Sequence, residues 1–284
     1  ILHLISKYSA SGGVGYAVEF SGSAVKSLSM ESRMTLCNMA VEFGAFTGMI
    51  AVDQKTVNYV KGRPFAPKGE LWAQAIEYWQ DLKSDSEATF DKEIIIDATE
   101  LSPTVSWGTS PGQSIGFGEK IPSPTDFEDK NLRIAAENAL KYMAIEPGQY
   151  LTDLKIDAAF IGSCTNSRLP DLRRTAKLLE NRKVAAGVRA ICVPGSTEVK
   201  LAAEAEGIDK IFKNAGFEWR ESGCSMCFFA GGESFGFEER VVSSTNRNFE
   251  GRQGPKTRTH IASPETVAAS AILGRICSAS EFED

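Results

Sequence analysis

Residues 156–168 read Ile156-Asp157-Ala158-Ala159-Phe160-Ile161-Gly162-Ser163-Cys164-Thr165-Asn166-Ser167-Arg168. A short apolar run stops at a glycine, and a polar loop holding one cysteine follows. Such a run, bounded by turn-forming residues, predicts a buried strand over 156–161. Downstream the pattern repeats. Residues 170–181 predict a helix, 188–193 a strand, 197–206 a helix and 217–221 a strand. Residues 263–275 predict a helix that opens on Ser263-Pro264-Glu265, a good N-cap with proline in the first turn. This alternation predicts an α/β fold: a mostly parallel sheet with helices on both faces, a three-layer α/β/α arrangement.

In open parallel sheets, ligands sit beyond the carboxyl ends of the strands. The rule brings two loops to one edge. One is residues 163–168. The other is Ser222-Gly223-Cys224-Ser225-Met226-Cys227, after the strand that ends near Glu221. Cysteines distant in sequence should therefore meet. Cys224-x-x-Cys227 is a chelating pair, because a two-residue spacer lets both thiolates face one centre, and Cys164 would add a third sulfur. Iron–sulfur clusters usually take four cysteines. Three would leave one iron open, as catalytic metal sites leave a position for water or substrate. On pattern alone the pair could equally be a redox couple or half a zinc site, with Cys164 and His260 completing a zinc tetrad of unusual spacing. Cys37, Cys192 and Cys277 lie in apolar surroundings and read as small buried residues.

Upstream, residues 25–45 predict a helix with Met30, Met34 and Val41 at helical spacing and Gly44 as its stop. Residues 48–52 predict a strand, and 68–84 an amphipathic helix with Leu71, Ala75, Ile76 and Trp79 in register. Residues 93–98, with Ile94-Ile95-Ile96, predict a buried strand. From 102 to about 128 the pattern gives way to Pro, Gly, Ser and Thr. That stretch is a candidate domain boundary or functional loop; as a boundary it divides the chain into domains 1–125 and 126–284, the second carrying the cysteine loops.

The 284 residues are 42% apolar and 24% charged, enough for a sizeable core. A net charge of −6 is a poor match for a nucleic-acid backbone, so no nucleic-acid partner is expected. No apolar run approaches the ~20 residues that span a bilayer, and no secretory leader is visible. With six cysteines in a chain of this size, these features suggest a cytoplasmic protein with thiols or metal ligands rather than disulfides. The chain opens without methionine inside what reads as an ordered segment, so an upstream part is expected. Only two histidines are present, which disfavours His-based metal sites and triads.

Three segments resemble signatures of the aconitase superfamily, in matching order and spacing. They are Gly162-Ser163-Cys164-Thr165-Asn166-Ser167, Gly223-Cys224-Ser225-Met226-Cys227 and Asn246-Arg247-Asn248-Phe249-Glu250-Gly251-Arg252. The Cys-Ser-Met-Cys form is similar to the family's isopropylmalate-isomerising branch rather than to aconitase, whose pair usually reads Cys-Gly-Pro-Cys. The likeness runs from Gly12-Gly13 to the final helix. Trp107-Gly108-Thr109-Ser110-Pro111-Gly112-Gln113 also resembles a family loop that approaches the site. Phe228-Phe229-Ala230-Gly231-Gly232-Glu233 departs from the family, which commonly carries a Met-Asn segment there.

The resemblance implies a [4Fe–4S] cluster on Cys164, Cys224 and Cys227. It implies a hydro-lyase that isomerises 2-isopropylmalate to 3-isopropylmalate by dehydration and rehydration, in leucine biosynthesis. The alternatives are homoaconitase-type or citraconate-type relatives, or a zinc-binding module with no activity. Arg247 and Arg252, whose planar guanidinium groups suit carboxylates, would bind a hydroxy di- or tricarboxylic acid, with Asn246 beside the cluster. Asn38 and Glu42, four apart on the predicted helix, would share a face. There Asn38 would neighbour cluster or substrate, and Glu42 would handle the hydroxyl or water. The family further implies a catalytic His and Asp upstream and a separate small subunit that supplies a serine and an arginine. His260 reads as structural.

Overall fold

The computed structural model describes residues 1–229 and 232–282. Ala230 and Gly231, within the departure from the family pattern, lie outside the described residues. The chain forms two compact units. One is Gly13–Leu101, and the other joins Ile1–Gly12 to Ser102–Asp284.

The larger unit is built on a five-stranded sheet. Its strands are β5 (Ala158–Ile161), β6 (Arg189–Cys192), β7 (Phe217–Trp219), β8 (Arg240–Ser243) and β9 (Arg258–Ile261). They lie in the order β7-β6-β5-β8-β9, and every pairing is parallel. The α/β class and parallel sheet are as the alternating sequence predicts. The order reverses between β5 and β8, the position at which open parallel sheets leave a crevice for ligands.

Helices α6 (Lys130–Met143), α7 (Leu169–Leu179), α8 (Thr197–Ala205), α9 (Ile208–Ala215) and α10 (Pro264–Leu273) bury residues in one cluster with Ala159, Ile161, Ala190, Cys192 and Val242. The opposite face carries Ala158, Phe160, Ile191, Val193 and Val241. Met226 and Phe235, from the segment between β7 and β8, pack against it. Irregular chain thus does on that face what a helix was expected to do. α6 and α9 were not anticipated. α6 is capped by Asp129, whose carboxylate accepts from Asn131 N at 2.8 Å and Leu132 N at 3.0 Å. α9 lays Ile208, Ile211, Phe212 and Ala215 on one stripe. α10 starts at the predicted cap, Ser263 Oγ accepting from Thr266 N at 3.2 Å, and stops at Gly274, whose φ of 68° is left-handed.

The anticipated division at 125/126 falls inside this unit. Strands β3 (Thr104–Ser106) and β4 (Ser114–Gly116) form an antiparallel hairpin, and Val105, Trp107 and Ile121 are buried in the main cluster. Ile261 N of β9 donates to Ser106 Oγ at 2.7 Å. A stretch that reads as linker from composition is therefore fastened into the core. The unit also contains α1 (Leu2–Tyr8).

The smaller unit holds β1 (Ala17–Glu19) and β2 (Thr47–Met49), paired in parallel, and helices α2 (Ser23–Ser27), α3 (Met30–Met39), α4 (Gln54–Val60) and α5 (Glu70–Gln80). The single helix expected over 25–45 is broken into α2, α3 and a turn. Ser29 caps α3, its Oγ accepting from Ser32 N. α3 lies close on β2, since a Cβ at Gly48 would meet Cys37 O at 2.9 Å. α5 forms where predicted, with Trp72 and Trp79 edge to face at 5.8 Å, but none of its residues is buried. Residues 93–97 are not a strand. They run as irregular chain with Ile95 90% exposed, because no neighbouring strand is there to take up their backbone hydrogen bonds.

Candidate metal centre

The loop after β5 carries Cys164, and the segment after β7 carries Cys224 and Cys227 on a 3-10 turn, Ser225–Cys227. Cys164 and Cys224 are exposed, and Cys227 is half-buried. Burial pushes the Cys227 thiol up. The neighbouring Arg252 guanidinium opposes the shift, and the charges of Cys224 and Cys164 add to it. Both loops lie at the carboxyl edge of the sheet, after β5 and β7.

Both loops hold non-glycine residues in the left-handed region beside a cysteine: Ser163 at φ 86° and Ser225 at φ 41°. Such backbone costs about 1–3 kcal/mol per residue and persists only where its surroundings hold it. Ser163 Oγ accepts from Thr165 N and Asn166 N, both at 3.3 Å, which closes the Cys164 loop on itself. Asn166 Nδ2 donates to Ser244 O at 2.9 Å, and Ser244 Oγ donates to Gly162 O at 2.9 Å, pinning that loop to the end of β8. Arg252 Nε donates to Cys227 O at 2.9 Å, and its Nη2 lies 3.6 Å from Cys227 Sγ. Phe229 N donates to Arg252 O at 2.6 Å.

Among the described residues, no three His, Cys, Asp or Glu side chains close around a single metal ion. Ligands of a cluster sit on separate irons and stand further apart than ligands sharing one ion. A set of three thiols on two loops of one edge suits the former. The zinc tetrad loses its fourth member. His260 is fully buried, with Nδ1 2.7 Å from Ser106 O and Nε2 2.8 Å from Arg240 Nη1. Only the tautomer protonated at Nδ1 satisfies both contacts, so neither nitrogen is left for a metal.

Burial, followed by the charge of Arg240, pushes His260 down to about 3. An unfolded histidine titrates near 6.5, so its contribution to stability is fully present above that pH. It is lost as pH falls towards 3, because only the unfolded chain then takes up the proton. Between pH 7.5 and pH 5 the wild-type chain should lose about 2 kcal/mol more stability than His260→Gln, which carries no titrating ring. Melting curves of both proteins at the two pH values measure this, and parallel pH dependences would contradict it.

Beyond β8, Asn246 is half-buried, Arg247 exposed and Asn248 buried. Asn248 Nδ2 donates to Gly108 O at 2.6 Å and faces Ser106 Oγ and Thr259 O, both at 3.1 Å. The Trp107–Gln113 stretch is thereby stitched to the segment that holds Arg247 and Arg252. Arg252, read from sequence as a substrate binder, is buried and spends two of its nitrogens on Cys227. Its Nη1 makes no hydrogen bond among the described residues. Asn38 and Glu42 belong to the smaller unit. α3 ends at Met39, and the turn tightens through Ala40 N to Cys37 O and Glu42 N to Met39 O. Asn38 is exposed and Glu42 buried, so they do not share a face as an unbroken helix would have them. Burial fits the non-ligand reading of Cys192 and Cys277, while Cys37 is half-buried.

Sequence reading did not single out Asn166, Ser244, Asn248 or Gln253. Each acts through partners far along the chain, and Asn248 alone carried a local hint, lying between the two arginines.

The sequence pattern of the aconitase family (aconitate hydratase) matches residues 1–274. A 3-isopropylmalate dehydratase large subunit from Cupriavidus necator is 60% identical over 258 residues, covering 91% of this chain and 97% of that protein. A family match over nearly the whole length, joined to that identity and to a parallel sheet with cysteine loops at its carboxyl edge, makes the assignment: the chain belongs to the aconitase family.

Proposed function

We propose that this chain is the large subunit of a hydro-lyase that interconverts 2-isopropylmalate and 3-isopropylmalate, with a [4Fe–4S] cluster held by Cys164, Cys224 and Cys227. The observation that supports the reading is that both cysteine loops follow strands of one parallel sheet at its carboxyl edge, in a chain 60% identical to a 3-isopropylmalate dehydratase large subunit. Hydroxide is a poor leaving group, and a bound cluster with one open iron supplies a Lewis acid for that oxygen.

The chain's own residues supply grip and orientation. Arg252 braces Cys227 through Nε and Nη2 and keeps Nη1 for a substrate carboxylate. Arg247 is an exposed residue on the same loop, with Asn246 one residue before it. Holding both carboxylates fixes the reacting carbons relative to the thiol edge. By resemblance, Glu42 is the carboxyl group for proton transfer with the hydroxyl or water, and Asn38 is a neighbour of cluster or substrate. The name of the relative implies a small subunit, and the complete site is expected only with that partner. Six free cysteines fit the reducing cytoplasm, and no described helix is long and apolar enough to cross a membrane.

The test is anaerobic reconstitution of the chain with iron and sulfide, then assay with and without the small subunit on isopropylmalate, homocitrate and citrate. Iron with acid-labile sulfide is expected, and turnover of isopropylmalate only in the mixture. Preference for homocitrate or citrate overturns the substrate. Zinc without sulfide overturns the cluster, and strong turnover by the chain alone overturns the two-subunit site.

A further inference from the structure

We propose that Gln253 is a positioning residue that sets the Cys224-x-x-Cys227 turn against the strand end holding the Cys164 loop. The inference rests on the cluster reading above. Gln253 is fully buried. Its Nε2 donates to Met226 O at 2.7 Å and to Ser243 Oγ at 3.3 Å, and its Oε1 accepts from Thr259 Oγ1 at 2.9 Å. Met226 is the residue between Ser225 and Cys227, so one carboxamide joins the middle of the thiol turn to β8 and β9.

The orientation of the amide is fixed by chemistry. Met226 O can only accept, so the nitrogen must face it, and the Thr259 hydroxyl then donates to the oxygen. Gln253 uses both amide hydrogens and its carbonyl, which leaves the side chain no second arrangement of equal energy. Its main-chain oxygen also accepts from Phe235 N at 3.0 Å, fastening the far end of the same segment.

Ser243 and Ser244 are adjacent at the end of β8. Ser243 receives Gln253, while Ser244 exchanges hydrogen bonds with Gly162 N at 3.0 Å and Gly162 O at 2.9 Å. One two-residue step of a central strand thus holds both cysteine loops. A rigid inorganic cluster does not adapt to wrong ligand spacing, so the groups that fix spacing act on its retention and electronic state. The turn also contains Ser225 at φ 41°, a conformation that needs an external hold. Gln253 bonds the carbonyl of the next residue, Met226.

Two variants and a control test the role. Gln253→Leu removes all three side-chain bonds at similar volume. Thr259→Val is isosteric and removes only the hydroxyl that orients Oε1. Ser270→Ala removes an equally buried hydroxyl of α10, bound to Thr266 O at 2.7 Å and Cys277 N at 3.1 Å, away from the thiol loops. Each chain is reconstituted anaerobically. The rate of iron loss to a chelator and, after one-electron reduction with dithionite, the electron paramagnetic resonance spectrum of the cluster are then measured.

Gln253→Leu is expected to lose iron about tenfold faster than wild type with an altered spectrum. Thr259→Val should move in the same direction by less. Ser270→Ala should melt lower yet match wild type in both readouts. Wild-type rates and spectra in the first two variants overturn the proposal, and so do equal changes in Ser270→Ala. If Gln253→Leu does not fold, Thr259→Val against Ser270→Ala decides. A wild-type chain that takes up no cluster overturns the functional reading together with this one. A normal wild type with unaltered variants overturns this one alone.

Discussion

Serine at Cys164, Cys224 or Cys227, one at a time, is expected to abolish stable uptake of iron and sulfide. It should also lower turnover of the two-subunit enzyme by at least about 10³-fold. A Lewis acid on the departing oxygen is worth several kcal/mol, and three factors of ten in rate correspond to about 4 kcal/mol. A hydroxyl is nearly the size of a thiol but is a much poorer ligand for iron, so the loss reflects ligation rather than packing. Cys277 provides the contrast. Burial pushes its thiol up to about 12, its backbone N–H donates to Ser270 Oγ, and it lies outside the thiol edge. Cys277→Ala should leave iron content and turnover within about twofold of wild type, at the cost of some stability. Normal iron and activity in any one of the three serine variants would remove that cysteine from the proposed set.

The second large effect is on stability. Arg240→Met should lower the melting temperature by about 12 °C, corresponding to about 4 kcal/mol. Arg240 is buried on β8. It reaches His260 Nε2 at 2.8 Å, Met143 O at 2.8 Å and Ala144 O at 3.4 Å. The two carbonyls belong to the end of α6, where a helix leaves its last acceptors without internal partners. Methionine fills much of the volume but donates nothing. A buried acceptor left unsatisfied costs about 1–3 kcal/mol, and both His260 and the helix end would be stranded. Burial, and then the nearby charge of Arg258, pulls Arg240 down to about 10, so at neutral pH it is still charged. Relief of that charged burial offsets part of the loss, which is why the expected cost stays near the middle of the range. A change of one or two degrees would mean that water satisfies these groups.

The parallel sheet was legible because its strands are short apolar runs between turn residues, as in 156–161. That pattern reports burial, and burial on both faces is what a parallel strand needs. The same logic failed at 93–98. Ile94-Ile95-Ile96 looks like a central strand, but a strand exists only where a neighbour pairs with it, and local sequence does not say whether one is there. α9 carries an apolar stripe of Ile208, Ile211, Phe212 and Ala215, but at eight residues it is too short for periodicity alone to mark it. The 102–125 stretch shows a different limit. Pro, Gly and Ser mark irregular chain, yet Ser106 is bonded to β9 and Trp107 is buried in the main cluster, which composition does not encode.

The candidate site divides in the same way. Cysteine spacing is a local property, and topology then brings the two loops together. The holding groups are not local. Gln253, Ser244 and Asn166 are ordinary polar residues whose partners lie elsewhere in the chain, so nothing in their own neighbourhood distinguishes them. Arg252 shows the limit from the other side. Its chemistry suggests a carboxylate partner, but the fold has already committed two of its nitrogens to Cys227.

Met226 occupies two environments at once. Its backbone lies in the thiol turn, while its side chain is immersed among Phe160, Val193 and Val241. Swinging the turn outward would expose hydrocarbon, so Cys224 and Cys227 are confined as soon as the sheet has collapsed. Most of the conformational freedom that a flexible chelator would surrender on capturing its guest has therefore been given up during folding.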